Sequence, residues 1–187
     1  KKKTKELKLV YGGNLGLPQN PILITKFISK IEVLDNIYFK IIGSGTEFKY
    51  IESYIKKNNI SKTKILRSLT KASYFEELDN SDVGLIFLNE KFTIPNYPSR
   101  LLDYLYFDLV VISNTDPFTD INEIIVKENL GKSFYGMRDL DNMISEIIKL
   151  RNITYLKSFN NNSQSTLLDF FNIETTFNLI DNKFKND

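Results

Sequence analysis

Apolar residues in this chain fall into two kinds of run: short, β-branched stretches bounded by turn residues, and longer stretches with a helical period. Leu7 to Tyr11 is a short buried strand, followed by Gly12-Gly13-Asn14-Leu15-Gly16. Asn20 then caps a helix with Pro21 at its first position, running to about Ile31; Ile22, Leu23, Lys26, Phe27 and Lys30 carry its period. Ile37 to Ile42 is the next strand. Gly43-Ser44-Gly45-Thr46-Glu47 follows, where Ser44 and Glu47 have the spacing of a capping box for a helix to about Lys57. Lys64 to Leu66 is a third strand, and a second capping box, Ser73 with Glu76, opens a short helix to Asn80. Strands at Val83 to Leu88, Leu109 to Ile112 and Lys132 to Tyr135 follow. They are interleaved with helices that begin at Ser99, span Ile121 to Glu128 (ending near Gly131), and run from a cap at Asp139 to about Arg151. Strand and helix alternating over short connections predicts parallel strands with helical crossovers on both faces. That is a Rossmann-like, doubly wound α/β sheet of about six strands. Past Asn152 the alternation stops; Leu167, Leu168, Phe170 and Phe171, then Phe177, Leu179, Ile180 and Phe184, mark further helices.

The stretch Asn96-Tyr97-Pro98-Ser99-Arg100-Leu101-Leu102-Asp103-Tyr104-Leu105 is the candidate place for chemistry in such a sheet. Pro98 marks a helix start and Ser99 suits the cap. Leu101, Leu102 and Leu105 then face the core, while Ser99, Arg100 and Asp103 share the other face. A helix start favours an anion, Arg100 adds a forked cation, and Asp103 could accept two hydrogen bonds from a sugar diol. An ordinary capped surface helix with an Arg–Asp pair has the same pattern. Ligands of open α/β sheets bind outside the carboxyl ends of the strands. The loops Gly13–Gly16 and Gly43–Gly45 and the helix start at Ser99 all follow strands and belong on that edge. None is a dinucleotide fingerprint or carries a phosphate-loop lysine.

Composition narrows the chemistry further. The chain has 187 residues, 42% of them apolar, enough for a real core; its net charge of +2 gives no electrostatic case for a nucleic-acid partner. There is no cysteine and no histidine, which removes a disulfide framework, the cysteine nucleophile, and the commonest metal ligand and general base. No apolar run is long enough to span a membrane and no signal peptide is visible, so the cytoplasm is the default compartment. The basic start, Lys1-Lys2-Lys3-Thr4-Lys5-Glu6-Leu7-Lys8, reads as a solvated linker at the edge of a longer protein; a membrane-surface patch is the other reading.

Four motifs in order give the chain a resemblance. Tyr11-Gly12-Gly13-Asn14-Leu15-Gly16 matches a strand and Gly-Asn-x-Gly loop, and Ile41-Ile42-Gly43-Ser44-Gly45-Thr46-Glu47 matches a strand running into Gly-x-Gly-x-Glu. Ser81-Asp82-Val83-Gly84-Leu85 matches Ala-Asp-Val-Gly-Leu, and Pro98 to Leu105 matches Pro-Ser-Lys-x-x-Glu-Tyr-Leu. From Leu7 to Arg151 the sequence resembles the C-terminal, donor-binding half of a GT-B glycosyltransferase. The branch resembled is family 4, retaining, in bacterial polysaccharide assembly. The resemblance implies that Asp103 holds the ribose hydroxyls, that Arg100 meets the diphosphate, and that Ser99 and the loop of Gly13, Asn14 and Gly16 supply phosphate donors; Gly43 and Pro98 count as further donor-binding residues. It places the nucleobase against the backbone from Arg67 to Leu69. The chain departs from the family pattern in three places: Asp103 stands for a glutamate, Pro95 stands for an earlier glutamate, and Tyr106-Phe107-Asp108-Leu109 stands for a small-residue and glycine segment.

These observations divide the chain into a linker edge at 1–8, a nucleotide-sugar-binding domain at 9–151 and a helical tail at 152–187. The N-terminal acceptor domain lies outside them. The implied partner is a nucleotide-sugar donor, a UDP-sugar before a GDP-sugar, with neither cofactor nor metal and no nucleic acid; peripheral contact with the inner membrane would belong to the full-length protein. The other readings are a non-catalytic, doubly wound nucleotide-binding or interaction module, and a sugar-nucleotide epimerase.

Overall fold

The computed structural model describes residues 6–91, 97–159 and 163–171. Its strands are β1 (Leu7–Asn14), β2 (Ile37–Ser44), β3 (Thr63–Leu66), β4 (Val83–Phe87), β5 (Val110–Thr115) and β6 (Gly131–Tyr135). The helices are α1 (Pro21–Glu32), α2 (Phe48–Lys57), α3 (Lys71–Asp79), α4 (Arg100–Tyr106), α5 (Ile121–Lys127), α6 (Leu140–Leu150), α7 (Ile153–Lys157) and α8 (Ser163–Phe171). The strands form one parallel sheet in the order β3-β2-β1-β4-β5-β6, the doubly wound arrangement expected from the alternation.

Side-chain alternation along each strand builds two separate cores. Leu7, Leu9 and Tyr11 of β1, with Val83, Leu85 and Phe87 of β4, meet α1, α2 and α6 on one face. Val10 of β1 and Ile86 of β4 meet α3, α4 and α5 on the other. Both faces are covered, which is why these strands read as nearly continuous apolar runs.

One expected helix cap is made and four are not. Asn20 does cap α1, its side chain accepting from the Leu23 N–H at 3.1 Å. Ser44 caps nothing: β2 runs through it, and α2 starts after Glu47 without a side-chain cap. At α3 the cap is Thr70, which accepts from the Ser73 N–H, so Ser73 lies inside the helix. Ser99 has helical backbone angles and makes no cap bond, and α4 begins at Arg100. Asp139 precedes α6, but its carboxylate accepts from the Tyr135 N–H at 3.0 Å instead. Ser44 is taken up by its strand and Asp139 by the end of β6, while Ser73 and Ser99 already have helical surroundings and so cannot cap. On α4 the inward positions are Leu101, Tyr104 and Leu105; Leu102 is only half-buried. Lys1–Lys5, Pro95 and the final expected helix around Phe177 to Phe184 lie outside the described residues.

Candidate functional site

The chain runs outward from β1 to β2 and β3, then returns to place β4 on the other side of β1. Crossovers leave in opposite directions at that point, so the carboxyl ends of β1 and β4 open a crevice. The two strands pair only at Leu9 with Val83 and Val10 with Gly84, and then part. Tyr104 of α4 bridges the gap. Its hydroxyl accepts from the Gly12 N–H at 3.1 Å and donates to the Leu85 carbonyl at 3.1 Å. A fully buried phenol thus replaces a rung of the ladder and satisfies two backbone groups that would otherwise be orphaned.

Gly84 lets α4 come this close, since a Cβ there would overlap the Tyr104 ring. The room for this close approach is thus made from the sheet side, by Gly84, and not by the segment Tyr106-Phe107-Asp108-Leu109. At the end of α4, Asp108 has a left-handed backbone (φ 52), a conformation glycine adopts without strain.

An open cleft of about 670 Å³ lies over this crevice. It brings together Gly13, Asn14, Gly43, Leu69, Ser99, Arg100 and Asp103 from four separate stretches of chain. Arg100 does not stay on the outer face of α4. Its guanidinium crosses the end of β1 and lies over the Tyr11 ring, 4.4 Å from the ring centroid. Gly13 leaves room for it: the backbone there is left-handed (φ 126), and a Cβ would sit 2.9 Å from Arg100 Nη2. Arg100 Nη1 is buried with no hydrogen-bond partner. Burial raises the pKa of Tyr11, and the neighbouring guanidinium opposes that rise. Asp103 is half-buried one turn along; burial raises its carboxyl pKa and the Lys71 ammonium partly offsets this.

The other three candidates lie elsewhere. Gly16 is buried in the turn after β1, its N–H donating to Gln19 Oε1 at 2.9 Å. Arg67 turns towards α2 and lies over the Phe48 ring at 4.6 Å. Pro98 is buried, and its carbonyl accepts from the Leu101 N–H. Asn14 reaches the cleft, but its side-chain amide is also held by Gln19 Oε1 at 3.3 Å. Sequence reasoning missed Lys71, Tyr74 and Phe75, which form the α3 wall of the cleft. No local pattern marked them, because only the packing of α3 against the sheet turns these side chains to the cleft. Among the described residues there is no group of three potential acidic, His or Cys metal ligands, and no helix is long and apolar enough to cross a membrane.

A parallel sheet in this order, with a cationic crevice at its switch point, gives the chain the Rossmann-like α/β fold that forms one half of the GT-B glycosyltransferases. Particular structures make the likeness concrete. A TarM variant from S. aureus, solved with Fondaparinux, α-GlcNAc-glycerol and UDP, superposes with a TM-score of 0.74 at 14% identity, over 94% of this chain and 36% of that one. HepE from Anabaena, solved with UDP-glucose, gives a TM-score of 0.74 at 11% identity, over 97% of this chain and 49% of that one. The C-terminal domain of LpcC, a glycosyl transferase group 1 family protein from Francisella tularensis, gives 0.67 at 13% identity, over 91% of this chain and 88% of that domain. The chain thus spans less than half of the TarM and HepE chains and most of the isolated C-terminal domain. At these identities the likeness is one of fold. No family model and no curated protein matches the sequence.

Proposed function

We propose that this domain holds the nucleotide-sugar donor, a UDP-sugar ahead of a GDP-sugar, for a hexosyl transfer. In this reading the reaction retains anomeric configuration, needs no metal and builds a bacterial surface polysaccharide such as lipopolysaccharide or capsule. The domain works within a longer cytoplasmic protein, at the inner membrane face, whose other half binds the saccharide or lipid-linked acceptor. One observation carries the reading: a guanidinium with a buried, unpartnered nitrogen at the switch-point crevice of a GT-B-like sheet. A buried donor without a partner costs about 1–3 kcal/mol, and an anionic ligand would remove that cost. UDP and UDP-glucose in the TarM and HepE structures support the choice of donor.

The chemistry follows from where charge develops. As the sugar leaves, negative charge builds on the diphosphate. Arg100, held in place by stacking on Tyr11, is a fixed cation that stabilises it. Asp103 accepts from the ribose hydroxyls and sets the register of the nucleotide along the cleft. Isothermal titration and thermal shift with UDP, GDP and UDP-glucose test the reading. Binding of a nucleoside diphosphate, without sugar transfer to an added acceptor by this chain alone, is expected. No response to any of the three refutes it and leaves an interaction module.

A further inference from the structure

Tyr74 has no part in the donor reading so far. It projects from α3 across the end of the sheet, and its hydroxyl rests on Gly12, where a Cβ would overlap it. Three phenols gather under the cleft. The Tyr11 hydroxyl donates to the Asn14 carbonyl at 2.5 Å, and that of Tyr104 joins Gly12 to Leu85. The Tyr74 hydroxyl has no hydrogen bond to any described residue, although the side chain is mostly out of solvent and lines the cleft. Phenols in such settings ordinarily find a partner. Its charged neighbours are Asp103 and Arg100.

We infer that Tyr74 is a ligand-binding residue whose phenol donates a hydrogen bond to the α-phosphate of the bound nucleotide. This rests on the donor reading. If Asp103 takes the ribose and Arg100 the terminal phosphate, the group between them is the α-phosphate, and the phenol lines the same cleft as both side chains, with its hydroxyl against Gly12 at the end of β1. Burial and the Asp103 carboxylate raise the phenol's pKa, so it stays protonated and can donate throughout the neutral range. Gly12 is part of the device, since any side chain there would displace the hydroxyl.

The test compares uridine, UMP and UDP binding to wild type and Tyr74→Phe by isothermal titration, with unfolding measured on both proteins. Loss of one bond to a charged acceptor should weaken UMP and UDP about tenfold each and leave uridine unchanged. A tyrosine Cζ resonance, carbon-13 labelled in the wild type and assigned to Tyr74, should move with UMP and not with uridine, and this needs no variant. Unchanged UMP affinity in Tyr74→Phe, an equal loss for uridine, or an unmoved Cζ resonance overturns the assignment and spares the donor reading. Failure of the wild type to bind any nucleoside diphosphate overturns both.

Discussion

Replacing Arg100 by alanine tests the centre of the cleft, because its effects on folding and on binding should separate. In folding, the variant loses the stacking of the guanidinium on Tyr11, worth about 0.5–2 kcal/mol. It also removes the buried, unpartnered Nη1, whose desolvation costs about 1–3 kcal/mol. The two offset, so the melting temperature should stay within about 4 °C of wild type for a chain of this size. In binding nothing offsets the loss. A charge-assisted bond to phosphate is worth about 1.5–3 kcal/mol, so UDP affinity should fall by about 10- to 150-fold. UMP should lose less, since the terminal phosphate is absent. Salt should weaken wild-type binding more than variant binding, because a cleft open to solvent is screened. Arg100→Lys keeps the charge but not the planar fork and should recover part of the affinity. Isothermal titration of UMP and UDP at low and high salt reads all of this. Equal UDP affinity in wild type and Arg100→Ala, with both folded, would remove the guanidinium from the site.

Asp103→Asn should cost about one charged hydrogen bond, roughly 1.5–3 kcal/mol, for UMP and UDP alike, measured in the same titrations. Its folding should also depend on pH differently. Because the folded-state pKa of Asp103 is raised from 3.8, the fold favours the neutral acid; its contribution to stability falls as pH rises from the ordinary aspartate range through the raised value. Urea unfolding of wild type and Asp103→Asn from about pH 4 to 7 should show that decline in the wild type only, and parallel curves would contradict it. Gly84→Ala places a methyl group against the Tyr104 ring and should destabilise by about 1–3 kcal/mol; an unchanged urea midpoint would mean that α4 can retreat from the sheet. Tyr104→Phe orphans the Gly12 N–H and the Leu85 carbonyl and should cost about 2 kcal/mol or more in the same assay. UDP binding should survive a chelator; a loss that magnesium or manganese restores would argue for a metal-dependent site.

The sequence alone determined the class of fold. Each strand is a local apolar run and each helix a local period, and their alternation over short connections admits few topologies besides a parallel sheet covered on both faces. It also brought Gly13, Gly43, Ser99, Arg100 and Asp103 to one edge, because each stands at the carboxyl end of a strand or in the segment after one. Caps were less legible: Ser44, Ser73 and Ser99 have capping chemistry, but where a strand ends and a helix begins is set by tertiary packing, which left Ser44 in β2, Ser73 inside α3 and Ser99 already helical. Only the tertiary structure decided which groups meet at the crevice. Arg100 read as an outward partner of Asp103, yet it turns inward over Tyr11 because Gly13 leaves the space. Tyr104 read as one more helix residue, yet it closes the sheet between Gly12 and Leu85, and Tyr74 carried no local signal at all. The physical reason is separation along the chain. Gly12 and Tyr104 are 92 residues apart, and no local pattern encodes a hydrogen bond that exists only once β4 has been laid beside β1.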